Sequence, residues 1–293
     1  MTPPSAPRFA KYAGGVLVYN LLVILWGAFV RATGSGAGCG SHWPLCNGEA
    51  LPRAPETATL IEFTHRLTSG LALIAVVFLY LWARRAFAKG HRARRAAFWS
   101  LVLIIVEALL GAGIVLLEYV EANQSWGRAA YLCAHLTNTL LLLSALALSA
   151  WFATAPERRL WPMAPRMKWA FAAMLLACTT GAIAALGDTV FPATSLAAGI
   201  RAELAPDAPA LLRLRLLHPV AAIAAAVYLF CCGFWMRREA PAARLVLALT
   251  AVQTLAGAVN VVLLAPVWMQ LLHLCIAALL WLALLRLAVQ SSR

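Results

Sequence analysis

Four of the six histidines, His65, His135, His218 and His273, fall inside long apolar stretches. An ionisable side chain in a bilayer is costly and ordinarily faces a cavity, a partner or a ligand. A single histidine could meet that cost with a hydrogen bond to a neighbouring helix. Four at matched depth are harder to account for in that way. Two neutral imidazoles facing each other across a helix bundle form an axial ligand pair for heme iron. Zinc fits less well, because no pair has cysteines or carboxylates at the usual ligand spacing. The other two histidines are His42, in an outer loop, and His91, in a basic loop.

The two pairs differ in what precedes them. Glu62-Phe63-Thr64-His65-Arg66 puts a carboxylate three residues before a histidine, on the same helix face. The matching stretch is Arg215-Leu216-Leu217-His218-Pro219. A carboxylate beside only one pair assigns chemistry to the N-terminal pair and a structural or electron-transfer role to the C-terminal pair. The alternative is a plain ion pair of Glu62 with Arg66 or Arg31.

A glycine-rich segment, Arg31 to Cys46, precedes Glu62 and allows tight turns near a ligand. Cys39 and Cys46 have six residues between them and lie on the side expected to be oxidising, so a disulfide is expected. A structural clip and a redox role both remain open. Cys133, Cys178, Cys231, Cys232 and Cys275 lie within apolar spans and read as packing residues.

The elements that must position these residues are membrane helices. Of 293 residues, 63% are apolar and 12% charged, and the mean hydropathy is +0.80. A helix needs about 20 apolar residues to cross the hydrocarbon core. The sequence predicts an all-α integral membrane protein with spans at 12–30, 60–83, 96–118, 128–153, 168–187, 212–236, 243–264 and 267–289. The net charge of +13 does not point to nucleic acid, because the basic residues sit in short loops between spans. Seventeen of them fall at the termini and in one set of loops: Arg8, Lys11, Arg84, Arg85, Lys89, Arg92, Arg94, Arg95, Arg158, Arg159, Arg166, Lys168, Arg237, Arg238, Arg244, Arg286 and Arg293. Six (Arg31, Arg53, Arg128, Arg201, Arg213 and Arg215) fall on the other side. Both termini are therefore expected in the cytoplasm, with the histidines toward the outer face. Residues 1–11 do not read as a cleavable signal, and a bacterial inner membrane is the expected location.

The chain also repeats itself. Leu22–Ala28 resembles Leu176–Ala182, Leu110-Gly111-Ala112-Gly113 resembles Ala256-Gly257-Ala258-Val259, and His65 and Arg84-Arg85 match His218 and Arg237-Arg238. His135 matches His273. Four spans per repeat keep the same orientation, so two four-helix bundles, 1–155 and 156–293, are expected about a pseudo-twofold axis along the membrane normal.

Together these residues resemble the heme A synthase family over nearly the whole chain. The resemblance is carried by Gly27-Ala28-Phe29-Val30-Arg31-Ala32-Thr33-Gly34-Ser35-Gly36, the Cys39…Trp43-Pro44-Leu45-Cys46 loop, Glu62-x-x-His65-Arg66, and His135, His218 and His273. It implies oxidation of the C8 methyl group of heme O, through an alcohol and a geminal diol, to the formyl group of heme A used by terminal cytochrome oxidases. It implies that His65 and His135 hold the substrate heme, and that His218 and His273 hold a heme b. Glu62 would bind or deprotonate a water, or steady positive charge at the methyl carbon. Arg31 and Arg66 would pair with heme propionates or with Glu62. Implied partners are membrane lipid, a heme O synthase, cytochrome oxidase assembly factors and a second copy of the chain.

Two departures stand out. Gly40-Ser41-His42 replaces the Pro-Asp often found before the loop tryptophan, and no second cysteine pair lies between Asp188 and Leu211. Two other classes use some of the same features. A non-enzymatic di-heme b-type electron-transfer cytochrome needs the four histidines but not Glu62. A transporter would use parallel repeats but does not predict four histidines at one depth.

Overall fold

The computed structural model describes residues 4–53, 55–121, 123–238 and 240–292. Arg293, counted among the cytoplasmic charges, lies outside them. Eight spans are long and apolar enough to cross a membrane: α1 (Ala6–Ala32), α2 (Thr57–Ala86), α3 (Arg92–Leu116), α4 (Trp126–Thr154), α5 (Pro165–Val190), a compound span, α9 (Pro241–Val262) and α10 (Val267–Ser291). The compound span runs from α7 (Ala210–Arg213) through a 3-10 turn (Leu214–Leu216) into α8 (Leu217–Met236). Pro219 has no N–H to give the Arg215 carbonyl four residues back, which accounts for the tightened turn there. A short outer helix, α6 (Leu196–Leu204), precedes it and has no counterpart among the predicted spans. The spans begin two to six residues earlier than the hydropathy pattern places them, except α10, because first turns form before the apolar run starts. Among the described residues there is no strand, only an isolated bridge between Cys46 and Glu49. The chain is an all-α, multi-pass integral membrane protein.

Local chemistry sets the helix starts. Pro7 and Pro241 sit in first turns, where a missing N–H costs nothing. Ser125 Oγ caps α4 by accepting from Arg128 N, and His91 Nδ1 caps α3 by accepting from Ala93 N. The exposed faces are apolar. On α2, Leu67, Leu71, Ile74, Phe78 and Leu81 recur at spacings of three and four and are all exposed, the stripe a lipid-facing helix presents.

Helices α1 to α4 pack sequentially, with α4 returning to α1. Helices α5, α8, α9 and α10 do the same, and the two groups meet along α1, α4, α5 and α10. The central elements, α4 and α10, are the most buried. Trp281 Nε1 of α10 donates to Ser144 Oγ of α4 at 2.7 Å. Each group has one dense apolar core. The first is built on Phe9, Val76, Leu79 and Leu146, the second on Met167, Leu229, Met236 and Leu284. Both cores lie toward the ends that carry the basic loops. The four histidines lie toward the opposite ends, beyond the dense packing.

Candidate functional site

Each histidine enters from the same side. His65 is eight residues from the start of α2, His135 nine from the start of α4, His218 eight from the start of α7, and His273 six from the start of α10. At about 1.5 Å per residue these depths agree to within about 5 Å.

Three of the rings rest against glycines of the preceding helix. A Cβ on Gly27 would come within 2.8 Å of His65 Cε1, and one on Gly181 within 3.0 Å of His218 Cε1. A Cβ on Gly257 would come within 3.1 Å of His273 Cε1. Gly111, the counterpart of Gly257, has nothing within 4 Å. Gly27, Gly181 and Gly257 thus make space for their imidazoles, while Gly113 of the remaining segment makes space for Tyr131 instead.

The C-terminal pair is arranged for a shared ligand. The His218 and His273 ring centres are 6.3 Å apart, with the planes at 84°. Two imidazoles bound to opposite faces of one metal at about 2 Å each place their ring centres roughly 6 Å apart. His218 Nδ1 lies 3.1 Å from the Ala177 carbonyl, so Nδ1 carries the proton and Nε2 is left as a lone-pair donor. In the N-terminal group, His65 lies within electrostatic reach of His135 and Glu107. His65 Nδ1, His135 Nδ1 and His273 Nδ1 are buried without a hydrogen-bond partner, and an orphaned buried polar atom is costly unless something else meets it. Among the described residues no three His, Cys, Asp or Glu side chains cluster as a metal site would require. Paired imidazoles with glycine cradles therefore suit heme iron better than a bare cation.

Glu62 is buried at 3% exposure. Its Oε2 accepts from the Cys39 backbone N–H at 2.8 Å. Its Oε1 accepts from Arg66 Nη2 at 2.5 Å and Nε at 3.1 Å. Arg66 Nη1 also donates to the carbonyls of His42 at 2.6 Å and Leu45 at 2.7 Å. The Glu62–Arg66 pair thus fastens the outer loop to α2. Cys39 and Cys46 are joined as a disulfide, and both are buried. Gly38 lies so close to α2 that a Cβ would come within 2.5 Å of the Ala58 backbone, while its carbonyl accepts from Thr59 Oγ1 at 2.7 Å.

Arg31 does not pair with Glu62. Its Nη1 donates to the Ala185 carbonyl at 2.8 Å and to Thr189 Oγ1 at 2.9 Å, and its Nη2 donates to Gln270 Oε1 at 2.7 Å. The side chain ties α1 to α5 and α10 because it leaves α1 on the face turned to the other helix group. Arg215, the counterpart of Glu62, meets Glu203 Oε1 at 2.7 Å and Asp188 Oδ1 at 3.4 Å.

Reading the sequence outward from the histidines does not find Gln253 of α9, whose Nε2 lies 3.1 Å from His273 Nε2, or Glu107. Glu107 of α3 lies with its Oε1 3.4 Å from His135 Nδ1, in ion-pair reach though not aligned as a hydrogen bond. It accepts from Asn138 Nδ2 at 2.5 Å and from Thr139 Oγ1. The signal was available as a lone carboxylate within an apolar span.

The chain matches the family described as cytochrome oxidase assembly protein over residues 10–285. It is similar to a protoheme IX farnesyltransferase of Thermus thermophilus, 45% identical over 305 residues, which cover 99% of this chain and 50% of that protein. It is also similar to a heme A synthase of Alkalihalophilus pseudofirmus, 45% identical over 95 residues and 32% of each chain. A heme A synthase of Geobacillus kaustophilus is 36% identical over 138 residues, 47% of this chain and 41% of that one. The chain spans about half the length of the Thermus relative. With the family match running from α1 into α10, the chain belongs to the cytochrome oxidase assembly protein family, that of the heme A synthases.

Proposed function

We propose that this chain is a heme A synthase that oxidises the C8 methyl group of heme O to a formyl group. The observation that carries this reading is an asymmetry. Each half carries two such histidines, but Glu62 precedes His65 by three residues and Glu107 lies within ion-pair reach of His135. The corresponding places beside His218 and His273 hold Arg215 and Gln253, and the buried Glu203 of that half is taken up by Arg215. A purely electron-transferring di-heme cytochrome has no need of that difference.

On this reading the two helix groups are pseudo-twofold-related halves, 1–155 and 156–293. His65 and His135 hold the substrate heme, and His218 and His273 hold a heme b, which supplies electron transfer when bound. Glu62 has both oxygens engaged, by Arg66 and by the Cys39 N–H. That suits a fixed negative charge beside a carbon developing positive charge better than a general base, which needs a free oxygen to accept a proton. Arg66 and Arg31, at the outer ends of their helices, are the guanidinium groups for the propionates. Both termini face the cytoplasm of a bacterial inner membrane, and the partners are lipid, a heme O synthase, oxidase assembly factors and a second copy.

The name of the Thermus relative favours a second reading, prenyl transfer to heme. A prenyl diphosphate with its divalent cation takes a cluster of oxygen ligands, and the described residues hold no three-ligand cluster. The unmatched half of that relative is long enough to carry such an activity by itself. Co-expression with a heme O source, followed by mass analysis of extracted hemes, separates the readings. Heme A or hydroxylated heme O supports the synthase, heme b alone supports the cytochrome, and new heme O from heme b and farnesyl diphosphate supports the transferase.

A further inference from the structure

Glu107 and Gln253 occupy corresponding sequence positions, although Glu107 faces Nδ1 of its histidine and Gln253 faces Nε2, which leaves Nε2 of His135 and Nδ1 of His273 for a metal. Each stands four residues before a matching glycine, Gly111 and Gly257. Each faces a histidine of the last helix in its group. Glu107 Oε1 lies 3.4 Å from His135 Nδ1, and Gln253 Nε2 lies 3.1 Å from His273 Nε2. Gln253 Oε1 is buried without a partner. Turning the amide over, which leaves its shape unchanged, would present that oxygen to a ring N–H. The two side chains are thus nearly isosteric and differ in charge.

The surroundings differ to match. Asn138 and Thr139 follow His135 by three and four residues, and both donate to Glu107. Ile276 and Ala277 follow His273 at the same spacing and can donate nothing from their side chains. A carboxylate with donors on both oxygens is a supported charge, and the second site has neither the charge nor the support.

A metal-bound imidazole donates its other ring N–H, and the acceptor fixes its orientation and raises its basicity. A carboxylate does this more strongly than an amide, because the bond is charge-assisted. We propose that Glu107 and Gln253 are the positioning partners of His135 and His273, and that the charge of Glu107 holds a heme in the N-terminal half at a lower reduction potential than an amide in its place would. The proposal rests on the heme-binding reading above.

The experiment is a spectroelectrochemical titration of purified, heme-loaded protein, resolving two midpoint potentials. Glu107→Gln should raise the potential of the N-terminal heme and leave the other in place. Gln253→Glu should lower the potential of the C-terminal heme, and the double exchange should shift the two in opposite directions. Should Glu107→Gln fail to retain heme, Gln253→Glu tests the same rule independently in the other half. Two bound hemes with both potentials unmoved in both single variants would overturn the proposal while leaving the heme reading intact. Wild-type protein that takes up no heme would overturn both.

Discussion

The Cys39 backbone N–H donates to Glu62 Oε2 at 2.8 Å, so the loop that carries the disulfide is fastened to the one deeply buried carboxylate of α2. Replacing Glu62 by Gln keeps an acceptor for Cys39 but removes the charge that meets Arg66. The expected result is bound heme O that is not converted, with heme content near wild type. Extracted-heme chromatography checks this, and normal heme A formation would remove Glu62 from the reaction.

The glycine cradles make a second test. Gly27→Ala puts a methyl group 2.8 Å from His65 Cε1, and Gly181→Ala puts one 3.0 Å from His218 Cε1. Both distances are shorter than van der Waals contact, so each imidazole must move. Each variant should lose about half of the bound heme, from its own half only. Gly14→Ala, with nothing within 4 Å, should keep the full amount. Pyridine hemochrome assay per mole of protein reads the difference.

Arg31 gives a prediction about assembly. Arg31→Leu leaves the Ala185 carbonyl and Gln270 Oε1 without their donor at the seam between α1, α5 and α10. Losing hydrogen bonds to a charged group costs about 2 kcal/mol or more. A lowered melting temperature in detergent is expected, and, with a propionate partner removed, the folded fraction should lose heme more readily than wild type.

The disulfide closes a short loop, so the chain-entropy estimate of its stabilisation is only about 2 kcal/mol. The double variant Cys39→Ser/Cys46→Ser should therefore still fold and retain heme, because Glu62, Arg66 and Thr59 hold the same loop through other bonds. Faster proteolysis confined to residues 33–56 is the expected readout. Loss of turnover with an intact, protease-resistant loop would instead point to a redox role for the pair.

Much of this architecture is written in local sequence. Runs of apolar residues and their flanking arginines give the eight spans, because lipid demands that pattern of each helix separately. His65 and His218 stand out for the same reason: an imidazole in such a run is conspicuous alone. The relationships that organise the site are long-range and left weaker traces. Glu107 meets His135 across 28 positions, and Arg31 meets Gln270 across 239. Arg31 reads locally as a partner for Glu62, yet the face by which it leaves α1 turns it to the other helix group. Arg66 reads as one of two choices and takes Glu62 because it lies one turn further along the same helix. Helix α6 escaped hydropathy because it lies in a loop and is only nine residues long.

The central claim is that paired imidazoles clasp heme in each half. The most direct measurement is the absorbance spectrum and heme stoichiometry of protein purified from cells with ample heme supply. The account predicts a strong Soret band, two hemes per chain, and one heme after replacement of either His218 or His273 by Ala. Colourless protein, or a spectrum that none of the four histidine replacements alters, would contradict it.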